Sequence, residues 1–128
     1  MKMEDDCNLG YEKLVVWQRA IEWACTIINA SEELNTDRKH YRLIEQLESA
    51  SPSVAMNIAE GKGRYSKKEF VQFLFIARGS LYETVTLLEI FHRQAWIEST
   101  LFTKLKTDAA EIAKMLNGLI NSIKCTKL

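Results

Sequence analysis

The sequence predicts an all-α fold, an antiparallel up-and-down four-helix bundle. Apolar residues recur in helical steps of three and four from Tyr11 to the C-terminal region, no stretch sustains a period of two, and cap signals cut the pattern into four segments joined by short connections. In the first segment Leu14, Trp17, Ile21, Ala24 and Ile28 lie in phase. In the second Ile44, Leu47, Ser51, Val54 and Ile58 do the same. Phe70, Ala77, Thr84 and Phe91 repeat every seven residues beside Leu74, Leu81, Leu88 and Ala95, as in a long bundle helix. Leu101, Leu105, Ile112, Leu116, Leu119 and Ile123 define the fourth segment.

Local signals place the boundaries. Ser66-Lys-Lys-Glu69 has the form of a capping box, so the third helix should begin at Lys67. Gly61 and Gly63 can supply a left-handed residue to end the second helix. The polar stretch Asn35-Thr-Asp-Arg-Lys-His40 separates the first two. Pro52 lies inside the second pattern. Because Ile44 and Leu47 are in phase with Val54 and Ile58, the expectation is one helix kinked at Pro52, rather than a later start. Gly79 sits mid-helix, where glycine costs roughly 1 kcal/mol relative to alanine, so it predicts close backbone approach against Ala55 or Ala59.

The 128 residues are enough for one core, and 47% apolar content with a single proline argues for one compact domain. Residues 1–10 read as a flexible tail and 11–128 as the bundle. Lysine plus arginine equals aspartate plus glutamate, so no global field draws the chain to nucleic acid or a membrane. The balance shifts along the chain, with eight acidic and five basic residues over 1–40 against nine and twelve over 41–128. A nucleic-acid role therefore needs a local patch. Lys62, Arg64, Lys67 and Lys68 supply one, four cations within seven residues with no acid between them. Gly61-Lys-Gly-Arg64 before a helix N-terminus is a weak phosphate-type motif, and it reads more simply as a helix end followed by a solvated turn. Cys7, Cys25 and Cys125 form no C-x-x-C pair, which fits a reducing cytoplasm. No apolar run approaches the roughly 18 residues of a membrane span.

No catalytic constellation is visible, so the expectation is a protein that is not an enzyme. His40 and His92 lack partners at metal-ligand spacing, and neither metal nor cofactor is predicted. Glu60 is the unusual polar residue, since a carboxylate in the last turn faces the negative end of the helix dipole and calls for a cation, Arg64 or Arg78. Asn57 lies one turn away on the same face. The two read either as a ligand site or as a buried network with Arg78 and Ser80. Val71, Phe75 and Tyr82 make a second apolar stripe on the third helix, and Val16, Trp23 and Ile27 a second stripe on the first. A lone bundle buries about one stripe per helix, so these predict an oligomer interface.

Ser53-Val-x-x-Asn57-Ile-Ala-Glu-Gly61-x-Gly-Arg64, followed by Glu69-Phe-x-x-Phe-Leu-x-Ile-Ala-Arg-Gly-Ser-Leu-x-Glu83, resembles the 23S ribosomal RNA intervening-sequence protein family, also called the S23 family. The similarity runs from Tyr11 through Val16-Trp17-Gln18 to Leu116-Asn-Gly-Leu119. It implies a bacterial four-helix protein forming a ring-like homopentamer, without established enzymatic activity. It also implies a distant likeness to the accessory variability protein of diversity-generating retroelements, which binds nucleic acid and a reverse transcriptase. Glu48 and Ser49 stand where family members commonly carry arginine, so fewer phosphate contacts are on offer here. The expected partners are further copies of the chain, then RNA or DNA, or alternatively a docked protein.

Overall fold

In a computed structural model that describes residues 9–34, 36 and 40–125, the chain enters through a 3-10 turn at Tyr11–Lys13. Four α-helices follow, α1 (Val15–Ser31), α2 (Tyr41–Lys62), α3 (Lys67–Arg93) and α4 (Ser99–Cys125), with no strand among the described residues. Each helix packs against its neighbours in sequence, and α4 closes the circuit on α1, which is the arrangement of a four-helix bundle. The tail expected over residues 1–10 lies outside the described residues except for Leu9 and Gly10.

The polar break between α1 and α2 falls where expected, although residues 35 and 37–39 of it lie outside the described set. α3 begins at Lys67, with Ser66 Oγ accepting from the Glu69 amide at 3.1 Å. At its far end the sequence pattern overran. Ala95 is outside the helix with φ 64°, its N–H donating to His92 O and that of Trp96 to Phe91 O, the paired bonds of a Schellman cap. Trp96 packs on Phe91 at 5.3 Å, the apolar contact that usually accompanies this cap.

α2 runs unbroken through Pro52, so the later-start alternative does not apply. Proline withholds one N–H from the helix ladder. The burial of Leu47, Val54 and Ile58, each at 1% exposure or less, shows what holds the two halves in phase. The core continues through Leu74, Ala77, Leu81, Leu88 and Phe91 of α3 and Leu105, Ile112 and Leu116 of α4.

Three expectations are corrected by packing. On α1 the second apolar stripe supplies most of the core face, although Ala24 of the first stripe is also buried, at 4%, and Leu14 and Trp17 pack against the core. Val16, Trp23 and Ile27 are core residues with 5%, 3% and 1% exposure, while Ile21 and Ile28 are 36% and 38% exposed. Both stripes are apolar, and periodicity does not say which faces inward. The indole decides it, because Trp23 Nε1 donates to Leu105 O of α4 at 3.0 Å, a bond that satisfies a buried donor. The glycine of close approach is also a different one. A Cβ on Gly79 would meet nothing within 4 Å, whereas one on Gly61 would lie 2.7 Å from Phe73 Cβ. Gly61 is therefore the position of close approach between α2 and α3. Finally, neither Gly61 nor Gly63 is left-handed. Gly63 has φ −82° and Gly61 is a buried helical residue, so α2 ends without an αL cap.

Candidate nucleic-acid interface

The short α2–α3 turn and the antiparallel order bring the C-terminus of α2, the N-terminus of α3 and the C-terminus of α4 to one end of the bundle. Lys62, Arg64, Lys67 and Lys68 are all exposed there. Lys62 Nζ lies 5.9 Å from the Phe70 ring, and the Arg64 guanidinium 4.6 Å from the Phe73 ring. These aromatic contacts orient the cations at little cost in desolvation. Lys67 and Lys68 border a groove of about 350 Å³ with Val71, Phe75, Ile123 and Lys124. Lys124 is the cation that sequence reasoning missed. Its signal was the topology, since an up-and-down bundle returns the end of α4 to the start of α3.

The expected network of Asn57, Glu60, Arg78 and Ser80 separates into three parts. Glu60 accepts from Arg64 Nη2 at 2.6 Å, an i,i+4 pair on the surface with the Glu60 side chain 54% exposed. Arg78 instead donates to Asn117 Oδ1 of α4 at 2.9 Å and lies 4.8 Å from the Phe75 ring and 5.8 Å from that of Tyr82. Asn57 Nδ2 donates to Ser53 O at 2.8 Å and Ser53 Oγ at 3.0 Å, and the Ser53 and Ser80 hydroxyls are 2.9 Å apart. Helix geometry explains the split. Arg64 lies in the turn just past the end of α2 and its side chain returns to Glu60 in the last helical turn, while Arg78 projects from α3 toward α4. Glu60 is thus no buried ion, and its pairing with Arg64 reduces the charge that Arg64 can offer a phosphate.

Phe75 and Tyr82 stay 37% and 51% exposed, whereas Val71 is buried at 8%. Beyond Arg78 the α3–α4 seam opens into a second groove of about 380 Å³, lined by Tyr82, Val85, Lys106, Ala109, Ala110 and Ala113. Glu89 lies farther along α3, where donation from Arg93 and then the nearby Lys106 hold its carboxyl below the usual glutamate range.

His92 stacks on Phe102 with ring centroids 4.4 Å apart, and its Nε2 is 3.1 Å from Ser99 Oγ. Among the described residues no group of three or more His, Cys, Asp or Glu side chains is placed to hold a metal ion. Among the same residues no helix is long and apolar enough to cross a membrane.

A single all-α bundle with a cationic end and an apolar α3–α4 seam defines the class. The chain belongs to the 23S rRNA-intervening sequence protein family, whose sequence model matches residues 12–118. A similar fold is seen in the crystal structure of a protein of unknown function from the S23 ribosomal protein family of Bacteroides thetaiotaomicron. That protein is 28% identical, with a TM-score of 0.78 over 84% of this chain and 96% of that one. No curated protein matches this chain.

Proposed function

We propose that the protein is a non-enzymatic, homo-oligomeric bundle that binds the backbone of RNA or DNA in the cytoplasm. The observation that carries this reading is the gathering of Lys62, Lys67, Lys68 and Lys124 at one end of the bundle, all exposed. Phosphates are held there by charge rather than by base contacts, so binding is micromolar or weaker, tolerant of sequence and steeply salt-dependent. Self-association supports the same reading by repeating the patch around a ring, as the homopentamer implied by the family resemblance would.

The surface proposed for that ring is the α3–α4 seam. Its occupant is a second copy, presenting the exposed α1 ridge of Ile21, Cys25 and Ile28. Glu22 beside that ridge complements Arg78 and Lys106 along the seam. Because the ridge and the seam are different surfaces, the contact is head-to-tail, the type that closes into rings. Polarisation of a labelled ribosomal RNA fragment, titrated at 50 mM and 200 mM salt, tests the binding. The wild type should bind at the lower salt and lose most of its affinity at the higher, and a Lys67→Glu, Lys68→Glu double variant should bind weakly at both. Absence of binding by the intact oligomer at low salt overturns the reading. It would leave the alternative of a scaffold for a protein partner, which the zero net charge favours.

A further inference from the structure

The residues of the Ser53-to-Arg64 motif that leave the core line a groove of about 530 Å³ on the outer face of α2, closed on one side by Phe73 of α3. It lies beside the cationic end, because Arg64 belongs to both. Pro52 and Met56 form an apolar wall, with Met56 65% exposed. Asn57 and Glu60 lie one turn apart on α2, and Arg64, in the turn past the helix end, bonds back to Glu60.

Their hydrogen bonds fix what each has left to offer. Asn57 spends its amide nitrogen on Ser53, which leaves Oδ1 as its acceptor. Glu60 gives Oε2 to Arg64, leaving Oε1 and a further lone pair as acceptors. Arg64 uses Nη2 in that bond and retains other N–H donors. From Arg64 through its partner Glu60 to Asn57, the groove therefore presents donor, acceptor, acceptor.

We infer that this groove takes one unpaired guanine base from a single strand whose phosphates lie on the neighbouring lysines. Guanine's Watson–Crick edge carries O6, N1–H and the N2 amino group, an acceptor followed by two donors. That order complements the groove. Adenine and cytosine each place an acceptor where Glu60 needs a donor, and uracil offers a single N–H between two carbonyls. Met56 and Pro52 supply the apolar surface on which an unstacked base can rest, and recognition of splayed bases by stacking and edge contacts is the usual route to sequence preference in single-stranded RNA. The inference rests on the nucleic-acid reading and adds a base preference to it.

Polarisation with labelled U-rich single-stranded 11-mers, carrying at the centre a guanine, adenine, cytosine or uracil, tests it at low salt. The wild type should bind the guanine strand about five-fold or more tightly than the others. Glu60→Gln, which places a donor amide among the acceptors and frees Arg64 for a phosphate, should remove that preference, so that all four strands bind alike, while raising affinity for the all-uracil strand. Glu60 is exposed, so this variant folds. The Lys67→Glu, Lys68→Glu variant should weaken all four strands and keep the guanine preference. Equal affinity of the wild type for all four strands, or a preference that survives Glu60→Gln, overturns the guanine site and leaves the backbone-binding reading standing. No binding to any strand overturns both.

Discussion

Along α3, the seam with α2 is closed by Gly61 under Phe70 and Phe73 and by the Ser53–Ser80 hydroxyl pair, whereas the seam with α4 leaves Phe75, Tyr82 and two apolar grooves open. The difference follows from side-chain size. Where α2 faces α3, glycine, serine and alanine let the backbones come close, and the Ser53 and Ser80 hydroxyls bond each other. Where α4 faces α3, Ala109, Ala110 and Ala113 stand opposite Tyr82 and Val85 without filling the space between them, and polar bridges cross at Arg78 to Asn117 and, farther along, at Glu89 to Lys106 and His92 to Ser99. One seam completes the monomer. The other has the apolar lining of a contact with a second molecule.

Breaking the closed interior should produce the largest effect. Trp23→Ala removes a 3%-exposed indole and its bond to Leu105, and should cost about 3–5 kcal/mol in chemical denaturation. If Trp23 belonged to an interface and not to the core, the loss would instead depend on protein concentration. The glycines sharpen the comparison next. Gly61→Ala should destabilise by about 1–3 kcal/mol, because the new methyl meets Phe73 Cβ and the Phe70 carbonyl, neither of which is the far end of a flexible side chain. Gly79→Ala should stabilise by about 0.5–1 kcal/mol, the helix-propensity gain at a site with nothing in reach. Thermal melts of the pair, shifted in opposite directions, would establish the assignment. Glu60→Ala should change stability least, by about 0.3–0.5 kcal/mol, as expected for an exposed i,i+4 pair. A loss of several kcal/mol in a urea titration would mean that Glu60 is buried.

The helices themselves were legible because each carries a strong 3.6-residue period, and the start of α3 because a serine with glutamate three residues later has one favourable local arrangement. The phase of α1 was not. Its two stripes differ little in hydrophobicity, and the choice between them is made by a tertiary bond from Trp23 to a carbonyl 82 residues away. The glycine roles failed for the same reason, since a glycine's local cost is readable but the identity of its neighbour is not. Of the candidate site, the cations from Lys62 to Lys68 were visible as a cluster, and Lys124 required the topology. Glu60 was correctly given a cationic partner. The sequence left Arg64 and Arg78 as equals, and the direction in which each projects chose between them.

The open α3–α4 seam carries the central claim, that this chain works as an assembly of copies. Multi-angle light scattering of the purified protein at tens of micromolar, beside Phe75→Glu, tests it most directly. The wild type should elute with a mass several times 14.8 kDa, and the variant should fall toward the monomer because the new carboxylate is unpaired within an apolar contact. A wild-type mass of 14.8 kDa would contradict the assembly and, with it, the ring of cationic ends proposed to hold nucleic acid.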